Sequence, residues 1–164
     1  MTRPSAVIFD IGNVLIEWQP ERFYDRVVGK DRRVAMFEAI DLHAMNDEVD
    51  RGSNFQETIY AAADANPECT AEIRLWHDRW IEMPAPVIDH SVRLLRALRR
   101  KGVPVFALSN FGIQSFGLAE WHYPFLEGFD RRDISGHMGV IKPEARIYEM
   151  VEQDSGLSGP ALLF

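Results

Sequence analysis

Asp10 sits where a charge is costly, at the end of the apolar run Val7-Ile8-Phe9, with a Gly12-Asn13 step and a second apolar run, Val14-Leu15-Ile16, close behind. An acid in that place is either a solvated end residue or a group that its strand exists to aim. Two other stretches offer it partners. VPVFALSN closes on a hydroxyl and an amide, Ser109 and Asn110, and GHMGVIKPEARIYE presents an ammonium, Lys142. Lys142 is one of only three lysines, with Lys30 and Lys101, in a chain whose other fifteen cations are arginines. A compact point charge suits an anion held next to a carboxylate. Each feature also has a plain structural explanation. Ser109-Asn110 can cap the helix that follows. Pro143 can open a helix, with Glu144 favouring its dipole.

These groups meet only if the fold brings them to one rim. A short apolar segment at about 6–10 reads as a strand buried on both faces, with further strand candidates at about 103–108, more weakly at about 131–135, and at the closing PALLF. Between them lie helical patterns. PVIDHSVRLLRALRRKG carries Ile88, Val92, Leu95 and Val87, Ser91, Leu94, Leu98 as one stripe and ends on Gly102; another helix, with Ile147, Tyr148 and Val151, follows Pro143. Alternation of this kind predicts an α/β fold with a Rossmann-like parallel sheet, in which ligands bind beyond the carboxyl ends of the strands. Residues 19–85 contain no convincing strand. They read as helices, with Asn54 and Glu57 in a capping-box pattern, Thr70 as a second cap, and Pro84 and Pro86 breaking the last helical pattern. The expected organisation is therefore a core at 1–17, an inserted all-helical cap at 18–85, and the core continued at 86–164.

Composition narrows the function. A net charge of −7 leaves no basic excess for nucleic acid. The basic run Arg93, Arg96, Arg99, Arg100, Lys101 reads as a solvated helix face. No segment approaches the ~20 apolar residues of a membrane span. One cysteine, Cys69, and no secretory pattern point to the cytoplasm. The five histidines show no paired ligand spacing, so zinc is not expected. The expected partner is a small molecule.

Three stretches in order, DIGNV after an apolar strand, LSN before a helix, and SGHMGVIKPEARIY, resemble motifs one to three of the haloacid dehalogenase-like hydrolases. The helical block matches the position and character of that superfamily's cap. Within it the chain is most similar to the small phosphatases that carry DxGNV and KPEARIY, including sugar-1-phosphate phosphatases. The resemblance implies that Asp10 is a nucleophile forming an aspartyl-phosphate, that Ser109 and Asn110 hold the phosphoryl oxygens, and that Lys142 neutralises charge. It also implies Mg²⁺ bound by Asp10 and the Gly12 backbone carbonyl. Trp18 and Phe111, each close behind a motif residue, are expected either to line the pocket or simply to pack, while Trp76 and Trp80 are expected in the cap's own core.

Two departures matter. The phosphatases of the superfamily usually carry a second Asp as general acid, and here that position is Gly12. General acid catalysis contributes about 10²–10⁴-fold, so the loss is felt least with a good leaving group, such as an anomeric, acyl or aryl phosphate. The fourth motif, an acidic pair after an apolar strand that completes the metal site, would fall beyond Phe164, so the resemblance implies a core whose last part is absent from this sequence. The expected function is thus a Mg²⁺-dependent phosphatase of a small phosphorylated metabolite. Two alternatives stay open: a 2-haloacid dehalogenase using the same Asp without metal, and a non-catalytic binding member of the fold.

Overall fold

The computed structural model describes residues 4–157 and 162–163. Its core is a four-stranded parallel sheet. Strand β1 (Val7–Phe9) is flanked by β4 (Val105–Ser109) and β6 (Leu162–Leu163), and β5 (Arg131–Ile134) pairs on the far side of β4. Val7 lies opposite Val105 and Phe9 opposite Ala107, which brings the carboxyl ends of β1 and β4 side by side. Both faces are covered, which is why β1 is apolar throughout. Val7, Phe9, Val105 and Ala107 belong to the main core, with Val92 and Leu95 of α6 (Asp89–Arg100). Ile8 and Leu108 pack on the other side with Ile147 and Val151 of α9 (Ala145–Ser155). All four predicted strands are present; the remainder of PALLF lies outside the described residues.

The helical block follows β2 (Ile16–Trp18) and comprises α1 (Pro20–Val27), α2 (Lys30–Ala39), α3 (Leu42–Asp50), α4 (Phe55–Asp64) and α5 (Thr70–Asp78). Asn54 caps α4 as its pattern predicts, its side chain accepting the Glu57 N–H at 3.0 Å. Thr70 does not cap α5. It is the helix's first residue, and its hydroxyl donates to the Ala63 carbonyl at 3.0 Å, tying α5 to α4. Trp76 is fully buried against Tyr24 and Phe37.

The sequence reading misses both strands of a second, small sheet, β2 and its partner. Pro84 and Pro86 do not merely break a helix; Pro84–Val87 form β3, antiparallel to β2 in a two-stranded ribbon where the cap leaves the core. Proline lacks a donor and survives in such edge pairing. The ribbon takes Val87 out of the helical stripe, α6 starts at Asp89, and Leu94 turns to solvent at 44% exposure. Arg93, Arg96, Arg99, Arg100 and Lys101 are exposed, as a solvated face should be. Among the described residues no helix is long and apolar enough to cross a membrane.

Candidate active site

Asp10 follows directly on β1 and receives three donors. The Ile11 N–H and the Ser109 hydroxyl donate to Oδ1 at 2.8 and 2.7 Å, and Lys142 Nζ lies 2.6 Å from Oδ2. A carboxylate offers about four lone-pair sites, so one direction stays available for chemistry. The ammonium is itself aimed: Nζ also donates to the Leu108 carbonyl at 3.0 Å. The Asn110 amide holds the Lys142 backbone at two points, accepting its N–H at 2.7 Å and donating to its carbonyl at 3.0 Å. Ser109 and Asn110 therefore do not cap the next helix. That helix, α7 (Ile113–His122), has Gly112 at its N-cap. Pro143 likewise opens no helix, since Glu144 is the N-cap of α9.

The turn after Asp10 is tight. Asn13 has φ 59°, left-handed backbone that Asn tolerates better than other side-chain-bearing residues. Its Oδ1 accepts the Trp18 backbone N–H at 2.9 Å, bracing the turn against β2. Gly12 needs no such freedom. A Cβ built there would meet only Trp18 Cβ, at 3.8 Å, an ordinary contact. The missing side chain at position 12 is not imposed by packing.

A cavity of about 240 Å³ opens over this cluster. Asp10, Gly12, Trp18, Ser109, Asn110, Phe111 and Lys142, the residues singled out in the sequence, all line it. The helical block lines it too, with His43, Asn46, Asp47 and Asp50 of α3. Trp80 also lines it, its ring 5.7 Å from that of Phe111, so it joins cap to core and is not confined to the cap's interior.

Asp50 is the site residue that motif reasoning does not reach. It is buried, 8% exposed, and accepts from Asn46 Nδ2 at 2.9 Å and from the Gly112 backbone N–H. Burial, aided by the negative charge of Asp47, pushes its carboxyl up to about 7 against those two hydrogen bonds. The available signal is spacing: Leu42, Asn46 and Asp50 fall four apart along a helix whose Met45 and Val49 are buried, so a carboxylate occupies an inward position.

The donor set beside Asp10 is hard oxygen, the kind Mg²⁺ takes. It is incomplete: among the described residues no group of three or more His, Cys, Asp or Glu could hold a metal.

No protein-family model matches the chain. A 70-residue stretch, 43% of the chain, is 39% identical to the (S)-2-haloacid dehalogenase of Pseudomonas sp. (strain YL) and spans 30% of that enzyme's length. An HAD family enzyme from Bacteroides thetaiotaomicron superimposes with a TM-score of 0.76 at 19% identity, over 99% of this chain and 84% of the other. Its complex with magnesium and inorganic phosphate superimposes with 0.71 at 19% identity, over 96% and 82%. The chain has the haloacid dehalogenase-like fold. The L-2-haloacid dehalogenase of Xanthobacter autotrophicus, with chloropropionic acid covalently bound, shares it at a TM-score of 0.62 and 15% identity, over 98% and 69%. Within this haloacid dehalogenase-like fold, the Asp10 cluster stands at the carboxyl ends of β1 and β4, where parallel α/β sheets bind ligands.

Proposed function

We propose that the chain is a hydrolase that removes phosphate from a small cytoplasmic metabolite through an aspartyl-phosphate at Asp10. The observation that carries this reading is the Asp10 carboxylate held between Ser109 and Lys142 at the floor of a cavity roofed by the cap. Asp10 attacks phosphorus, the ester oxygen leaves, and water then cleaves the acyl phosphate. Lys142 opposes the charge that builds on the transferring group, and the cap excludes bulk water. Asn110 acts chiefly by positioning Lys142. Mg²⁺, when bound, adds positive charge opposite the phosphoryl oxygens; Asp10 and the Gly12 carbonyl are the oxygens this chain offers it.

The test is phosphate release with Mg²⁺ across a panel of phosphoesters, for wild type and Asp10→Asn. Wild-type turnover that the variant abolishes supports the reading, and turnover that survives in the variant removes Asp10 as nucleophile. A second reading, 2-haloacid dehalogenation, is favoured by the identity to the Pseudomonas dehalogenase. There Asp10 attacks carbon and halide departs without a proton. Metal-free chloride release from 2-chloropropionate, with no phosphate release from any ester, would establish it. Absence of both activities would favour a binding protein.

A further inference from the structure

We infer that Asp50, carried on the cap, is the proton donor to the leaving group, standing in for the side chain that Gly12 lacks. The inference rests on the phosphatase reading above. Asp50, from α3, and Asp10, directly after β1, line the same cavity. The orientation of its neighbours is fixed chemically. Trp76 Nε1 can only donate, and it donates to Asn46 Oδ1 at 3.0 Å, so Asn46 must present its NH₂ to Asp50. The other partner, the Gly112 N–H, is also a donor. Neither can accept a hydrogen from a protonated Asp50, which leaves the cavity as its direction.

The cap residue is held by the core. The Ser135 hydroxyl donates to the Asp50 carbonyl at 2.6 Å and accepts the Phe111 N–H at 2.9 Å. Arg51 reaches Glu144 at 2.6 Å across the same seam. Glycines permit the close approach: a Cβ on Gly112 would lie 2.5 Å from Val49 Cγ1, and one on Gly52 2.6 Å from the Gly136 carbonyl. The donor is thus fixed relative to the nucleophile.

The charged groups that share the cavity are Asp47 and His43 on α3 itself, and Asp10 and Lys142 from the core. With its carboxyl at about 7, Asp50 carries a proton through much of the neutral range. As the bond from phosphorus to the ester oxygen breaks, that oxygen takes the Asp50 proton and leaves as the alcohol. The Asp50 carboxylate then takes a proton from the water that attacks the aspartyl-phosphate. Phosphate departs, Asp10 returns as carboxylate, and Asp50 is again protonated.

The test compares phosphate release from glycerol phosphate, a poor leaving group, with release from p-nitrophenyl phosphate. Asp50→Asn should lower kcat/KM on the alkyl ester about 10²–10⁴-fold and on the aryl ester at least ten-fold less. It should also remove the basic limb of the alkyl pH profile. Asn46→Ala deletes a hydrogen bond that favours the carboxylate, so it should move that limb to higher pH; this variant carries the test if Asp50→Asn does not fold. Equal losses on both esters, or a basic limb that neither change moves, would overturn the assignment while leaving the phosphatase reading intact. No release from either ester by the wild type would refute the phosphatase reading itself, and Asp50 with it.

Discussion

Replacing Asp50 by Asn should make the protein more stable, and increasingly so as pH rises. In the folded chain the carboxyl lies at about 7, against 3.8 when unperturbed, because it is buried beside Asp47. A folded-state value above the unfolded one means that the native protein binds this proton more tightly than the unfolded chain does. The associated stability is complete below about pH 4 and drains away as pH climbs to about 7, beyond which the deficit is constant. Three pH units at about 1.4 kcal/mol each give a deficit on the order of 4 kcal/mol. That is a large share of the 5–15 kcal/mol that typically separates folded from unfolded domains. Asparagine has the shape of the protonated acid and nothing to ionise. Urea unfolding of wild type and Asp50→Asn at pH 4.5 and pH 8.5 isolates the effect, since titrations common to both cancel in the difference. The variant's advantage should grow by several kcal/mol between the two pH values. A difference independent of pH would show that Asp50 titrates normally. A variant that loses ground at high pH would show the carboxylate to be stabilised by a cation, and in either case the argument for a buried acid collapses.

The other expectations concern the nucleophile's counter-charge and the glycines. Lys142→Met removes the ammonium 2.6 Å from Asp10 and should reduce phosphate release about 10²–10³-fold, measured at saturating ester; a change of only a few-fold would mean that the ion pair organises the resting site and does little in turnover. Gly136→Ala places a Cβ 2.8 Å from the Phe111 carbonyl oxygen and 2.9 Å from the Ile113 nitrogen, both backbone atoms. It should cost roughly 1–3 kcal/mol, lowering Tm by about 2–4 °C for each. Gly12→Ala, whose Cβ meets nothing closer than 3.8 Å, should stay within about 0.5 kcal/mol of wild type. Thermal melts in the reverse order would contradict the packing described at the seam.

Much of this fold is written in local pattern. Strands β1 and β4 are short apolar runs that lead into the polar residues Asp10 and Ser109, and α4 announces its start through Asn54 and Glu57. The cluster of Asp10, Ser109, Asn110 and Lys142 was legible because each residue ends a strand or follows a recognisable loop. What escaped depends on partners distant in sequence. β3 exists only because β2 pairs with it, and two prolines in four residues hide it from any reading of strand preference. Trp80 looks like a cap-core residue until Phe111, from the other side of the cavity, is seen against it. Asn110 carries no sign in sequence that both of its polar atoms serve the Lys142 backbone. Asp50 reads as one acid among several in NDEVDRG, and only the docking of α3 on Phe111-Gly112 and Ser135 makes it a buried one.

The turn after β1 and the end of α3 make most sense together. A methyl-sized side chain at position 12 would have room, since a Cβ there meets only Trp18 Cβ, at 3.8 Å. On α3 Asp50 is buried and faced by donors from Asn46 and Gly112. Burial there opposes ionisation more strongly than the two hydrogen bonds favour it, and the proton is retained near neutrality. The deficit of about 4 kcal/mol expected above pH 7 would then be the physical consequence of keeping a proton donor in the cavity that holds the nucleophile. Because that donor sits on the cap, a change in the cap that alters how a substrate fits also alters where its leaving oxygen meets the proton.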